Sequence, residues 1–120
     1  MSVITVFGLG HCSTCKKAVA WLDEHGIAYR FSDYREQPIP AGELKVYGVQ
    51  LGWEKLVNRA SQTWRGLPDA QKSPQGETEW LALVQAHPTL IRRPLLVLPD
   101  GTPMAGFDTT RYAAALSIGA

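Results

Sequence analysis

The chain has 120 residues, 45% of them hydrophobic, a length that suits one domain able to bury roughly two-thirds of the surface its unfolded form exposes. Twelve Lys and Arg against 11 Asp and Glu leave a formal charge of +1, which excludes the concentrated positive field of a direct DNA or RNA binder. The opening "MSVITVFGLG" lacks the zones of a signal peptide, and no apolar run reaches the length of a bilayer span. A soluble, cytoplasmic, monomeric protein is therefore expected, with no membrane partner. A reducing compartment keeps thiols free, so two close cysteines point to catalysis, redox sensing or metal binding before a structural disulfide.

"VITVF" (residues 3–7) is an apolar, β-branched run without alternation, as in a strand buried on both faces. Glycines 8 and 10 end it. From Ser13 to His25, Cys15, Ala18, Val19 and Leu22 keep the spacing of one helical face, and Gly26 stands where that helix should stop. "IAYRFSDY" then alternates Ile27, Tyr29 and Phe31 with Ala28, Arg30 and Ser32, predicting a strand whose first set is the more buried.

The middle contains no convincing strand. Leu44, Tyr47 and Leu51 form a weak helical face, and Gly48 and Gly52 are expected to cut such helices short. Trp80, Leu81, Val84 and His87 predict a firmer helix over 77–87, closed by Pro88. "PDAQKSPQG" reads as a loop. Two strand-like runs follow, "PLLVLP" and "TPMAGF", joined by Asp100-Gly101, a strong hairpin signal. Pro103 belongs at a strand start or an edge. The tail "TTRYAAALSIG" predicts a last amphipathic helix with threonines as capping candidates.

The order β-α-β, helical stretch, β-β-α describes an α/β, thioredoxin/glutaredoxin-like mixed sheet with a helical insert between its N-terminal and C-terminal parts. Residues 1–120 form one domain in this reading, with 1–34 and 94–120 as the core and 35–93 as the insert.

Chemistry centres on "GLGHCSTCKK" (residues 8–17). An ordinary thiol has a pKa of about 8.5, and only the thiolate attacks a disulfide or an oxyanion. Cys12 stands where a turn enters a helix, so unpaired backbone N–H groups and the helix dipole face its sulfur. Lys16 and Lys17 add positive charge, and His11 adjoins as a thiolate-stabilising imidazole or as a solvated turn residue. Cys15 lies one helical turn on, at the head of the apolar stripe, which suits a buried resolving thiol or a small core residue. One C-x-x-C with scattered histidines supplies half a zinc ligand set, so no metal site is assigned. His25 and His87 read as partners of helix C-termini, Arg65 as a helix-end residue, and the four tryptophans as packing.

"HCSTCKKAVAWLDEHGI", "VNRASQTWRGL" and "AHPTLIRRPLLV", in that order and spacing, resemble the arsenate-reductase-like family, whose branches include Spx-type regulators and YffB-type proteins. The resemblance implies the thioredoxin-like fold. It makes Cys12 the nucleophile, and makes Arg93 the substrate-facing arginine before a cis-proline, Pro94. Arg59 lies one residue from a second oxyanion-binding arginine, opposite which Asn58 falls. Gly106 takes the place of the third, as in the Spx and YffB branches, and Cys15 matches the C-x-x-C of Spx-type members.

These residues imply a thiol–disulfide oxidoreductase, closest to YffB-type members, linked to glutathione or thioredoxin. Glutathione would be a co-substrate and no cofactor would be bound. One alternative is arsenate reduction by the same nucleophile with glutathione or glutaredoxin. Another is an Spx-like redox-responsive regulator that docks onto the α subunit of RNA polymerase.

Overall fold

The computed structural model describes residues 3–116. Among them the chain forms two compact units, one made of residues up to Asp33 together with those from Arg93 onward, the other of Tyr34–Arg92.

The first unit is built on a four-stranded sheet of order β2-β1-β3-β4. β1 (Ile4–Gly8) pairs in parallel with β2 (Tyr29–Asp33) and antiparallel with β3 (Leu95–Val97). β3 continues antiparallel to β4 (Pro103–Ala105). Helix α1 (Ser13–Glu24) joins β1 to β2, and α6 (Thr109–Ala115) closes the unit. This is the thioredoxin-like arrangement that the element order predicts.

β1 lacks alternation because it is an inner strand, and four of its five residues are buried. Ile4 and Val6 meet Ala18 and Leu22 of α1, Leu96 of β3 and Tyr112 of α6 in one apolar cluster. Tyr112 also donates from its buried hydroxyl to the Gly106 carbonyl at 2.9 Å, which satisfies the one polar group taken into that cluster. Its burial pushes the phenol far above its ordinary range. His25 follows α1 as its cap, its Nδ1 2.9 Å from the Trp21 carbonyl, and Gly26 comes next with φ 66°.

Several expectations need correction here. β2 is shorter than the alternating run and is an edge strand, so Tyr29 is only half-buried and Phe31 stays 36% exposed. The hairpin turn lies where Asp100-Gly101 put it: the Asp100 carboxylate accepts from the Thr102 amide at 2.9 Å, and Pro103 opens the edge strand β4. The last helix is not capped by a threonine. Asp108 is its N-cap and accepts from the Arg111 amide at 3.0 Å. The final residues of the predicted tail helix, 117–119, lie outside the described residues.

The second unit is helical, with α2 (Ala41–Leu51), α3 (Trp53–Leu56), α4 (Gln62–Arg65) and α5 (Glu77–Ala86). α2 packs on α5, with Leu44, Tyr47, Leu83 and Val84 buried. Its only strand-like pairing among the described residues is an isolated bridge between Val57 and Ile91. Gly48 does not end α2. It lies inside the helix because a Cβ there would stand 2.5 Å from three atoms of the Trp53 ring, whereas Gly52, at φ 89°, does terminate it. Trp53, Trp80 and Trp64 stack in series, with ring centroids 6.5 and 6.2 Å apart. The predicted loop over 68–76 contains one 3₁₀ turn, Asp69–Gln71. His87 caps α5, and Arg65 ends α4 with its guanidinium donating to the Ala60 carbonyl at 2.8 Å.

Candidate functional site

The turn between β1 and α1 positions both thiols. The Cys12 amide donates to the Leu9 carbonyl at 3.1 Å, closing a tight turn, and Cys12 takes extended angles (φ −81°, ψ 123°) as the N-cap of α1. Its own carbonyl then accepts the first helical bond, from Lys16, at 3.0 Å. The Gly10 amide donates to the Asp33 carboxylate at 3.0 Å, which ties the turn to the end of β2. Cys12 is half-buried at the mouth of the helix, while Cys15, one turn further, is 1% exposed. Neither is in a disulfide.

Helix entry leaves the first amides without intrahelical partners, and two of them serve the Cys12 sulfur. Partial burial opposes ionisation of Cys12, but the Cys15 amide, the Cys15 thiol, the Arg93 guanidinium and the Thr14 amide all hydrogen-bond it and together hold its pKa below the ordinary thiol value. Cys15 behaves in the opposite way. Burial pushes its thiol up to about 11, the Leu9 amide opposing and the hydrogen bond and charge of Cys12 reinforcing, with Arg93 again lowering it. The two thiols are thus shifted in opposite directions, Cys12 down and Cys15 up, a separation typical of sites where thiols do chemistry.

Arg93 reaches this pair through the chain reversal at a cis Arg93-Pro94 bond. Pro94 is fully buried, and its carbonyl accepts from the Gly106 amide at 2.9 Å, which locks the arginine's loop to the residue after β4. The structure therefore brings together Cys12, Cys15, Arg93 and Pro94. Arg59 belongs to the other unit, is exposed, and lies 3.6 Å from Glu54 in an ion pair.

Lys16 and His11, the expected thiolate-stabilising neighbours, are both exposed, and the groups that lower Cys12 include two amides, the Cys15 thiol and Arg93. Pattern reading missed the Leu9, Thr14 and Cys15 amides as individual donors and the Asp33 tether; the glycine at 10 was their one visible sign. Behind Cys15, a groove of about 390 Å³ runs between α1 and β2, lined by Leu9, Val19, Tyr29 and Phe31 with Lys16 and Asp23 at its rim. Among the described residues no cluster of three or more His, Cys, Asp or Glu is placed to hold a metal ion, and no helix is long and apolar enough to cross a membrane.

A mixed sheet with a helix-capping cysteine facing a cis-proline loop defines a thioredoxin-fold protein. The ArsC family model matches residues 7–115, and the chain belongs to the ArsC family. An uncharacterised protein of Haemophilus influenzae is 39% identical over 115 residues, covering 96% of this chain and 100% of that one. The global transcriptional regulator Spx of Listeria innocua is 29% identical over 98 residues, 79% of this chain and 73% of Spx. Among solved structures, the YFFB (PA3664) protein superposes with a TM-score of 0.88 at 40% identity, over 95% of this chain and 99% of that one.

Proposed function

We propose that this protein is a thiol–disulfide oxidoreductase of the cytoplasm, with Cys12 as nucleophile, Cys15 as resolving thiol, and glutathione or a thioredoxin-type protein as its thiol partner. The observation that carries the reading is the placement of the two thiols: a half-exposed Cys12 at the entry of α1, its pKa held below the ordinary thiol value by amides, the Cys15 thiol and Arg93, beside a buried Cys15 whose pKa burial pushes up.

The Cys12 thiolate attacks one sulfur of a disulfide; that S–S bond breaks and the departing thiolate takes a proton from solvent. The resulting mixed disulfide is attacked at the Cys12 sulfur by Cys15, which gives up its proton as it does so. The second substrate thiol leaves, and a Cys12–Cys15 disulfide remains. Two thiols of glutathione, or one dithiol protein, return it to the reduced form. A planar guanidinium beside the nucleophile suits the carboxylates of glutathione, so Arg93 is assigned to substrate binding, with Pro94 framing its loop. Arg59, engaged with Glu54, has no role in this reading.

Mass spectrometry of the protein exposed to oxidised glutathione tests it. The parent chain ends as an intramolecular disulfide, Cys15→Ser retains a glutathione adduct on Cys12, and Cys12→Ser forms neither; an adduct first formed on Cys15 would overturn the assignment.

Two other readings share the site. Arg93 beside Cys12 also suits an arsenate oxyanion, and arsenite formation in a coupled assay would favour that chemistry. The C-x-x-C pair and the Spx relative favour a redox-responsive regulator; if the oxidised protein, and not the reduced one, captured RNA polymerase through its α subunit, that result would replace the enzyme reading.

A further inference from the structure

Gly8 closes β1, opposite Asp33 in the parallel register. Its φ lies outside the left-handed region, so an alanine could adopt its backbone, and turn geometry does not explain a glycine there. Space does. A Cβ on Gly8 would stand 2.6 Å from the Cys15 sulfur and 3.4 Å from both the Cys15 Cβ and the Phe31 ring. The sulfur occupies the volume a side chain would fill. The next amide along the strand end, that of Leu9, hydrogen-bonds this same sulfur.

We infer that Gly8 is a positioning residue for the thiol pair: its bare backbone is the seat that lets the Cys15 sulfur lie deep enough to face both the Leu9 amide and the Cys12 sulfur. The inference rests on the reading of Cys12 and Cys15 as attacking and resolving thiols. With a methyl group at position 8, the sulfur must retreat from 2.6 Å to an ordinary van der Waals separation of at least 3.4 Å, or swing to another staggered rotamer. Either movement spoils the line from Cys15 to Cys12 along which resolution proceeds. Reactions between held groups are steep in such displacements: about 1 Å can cost about a hundredfold. The first attack, by Cys12 on the substrate, draws on Arg93 and the helix amides as well as on the Cys15 thiol, so displacing that sulfur removes one of its supports, whereas resolution depends on the sulfur's position outright.

The experiment follows the glutathione adduct on Cys12 by quenched mass spectrometry. In Gly8→Ala its conversion to the Cys12–Cys15 disulfide slows by about tenfold or more relative to the parent. In a Cys15→Ala background, adding Gly8→Ala leaves the rate of adduct formation on Cys12 within about twofold, because the sulfur that clashed is gone. Should Gly8→Ala fold poorly, Gly8→Ala/Cys15→Ala recovers the parental thermal midpoint, and that recovery itself supports the seat. Resolution at the parental rate in Gly8→Ala overturns the inference. So does a double variant whose adduct formation is as impaired, or whose fold is as poor, as that of Gly8→Ala. A parent chain that forms no Cys12 adduct overturns the oxidoreductase reading and this inference with it, whereas an adduct that forms and resolves alike in parent and Gly8→Ala removes the inference alone.

Discussion

Arg93→Ala tests the electrostatics of the site, because this guanidinium reaches Cys12 from outside α1 and hydrogen-bonds its sulfur. A hydrogen bond to a charged group contributes about 1.5–3 kcal/mol when well shielded. Cys12 is half-buried, and solvent screening reduces the contribution to about 1 kcal/mol. Removing a group that stabilises the anion raises the thiol's pKa, so the thiolate fraction below that pKa falls by about fivefold. The more basic thiolate is also the better nucleophile, and a Brønsted coefficient of about 0.4–0.5 returns about twofold. Attack on a neutral disulfide such as hydroxyethyl disulfide, followed by stopped flow from acid to alkaline pH, should then be about two- to threefold slower below the thiol pKa. It should become about twofold faster once both proteins are fully ionised. Arg93→Lys, which keeps the charge without the planar fork, falls between. An equal loss at every pH would mean that Arg93 acts by shape, and no change at any pH would mean it does not act on Cys12.

Two stability predictions address Gly48 and the cap of the last helix. Helix propensity alone favours Gly48→Ala by about 1 kcal/mol, but the new Cβ would lie 2.5 Å from the Trp53 ring and overpacking costs about 1–3 kcal/mol; a lower urea midpoint is expected, and a higher one would show that the ring yields. Asp108→Ala should cost about 1 kcal/mol through loss of the N-cap, while Thr109→Ala and Thr110→Ala stay within about 0.5 kcal/mol; equal urea midpoints for all three would return the cap to the threonines.

β2 illustrates how a sound pattern can mislead. Alternation reports which side chains share a face, and Tyr29 and Phe31 do line one groove, but burial depends on what covers that face, and an edge strand is covered less. Gly48 misled for a related reason. Glycine weakens an isolated helix, yet an 11-residue helix supported by its packing on α5 tolerates one where a neighbouring ring needs the room.

Local chemistry between neighbours was enough to determine the order of strands and helices, the hairpin at Asp100-Gly101 and the placing of Cys12 at a helix entry, because periodicity, turn preference and capping are written within a few residues. Tertiary structure alone decided that the Cys15 thiol and the Thr14 and Cys15 amides hydrogen-bond the Cys12 sulfur, and that Gly8 makes room for Cys15. Those outcomes depend on how segments close onto one another at the scale of an ångström, and such distances are products of packing that no spacing along the chain encodes.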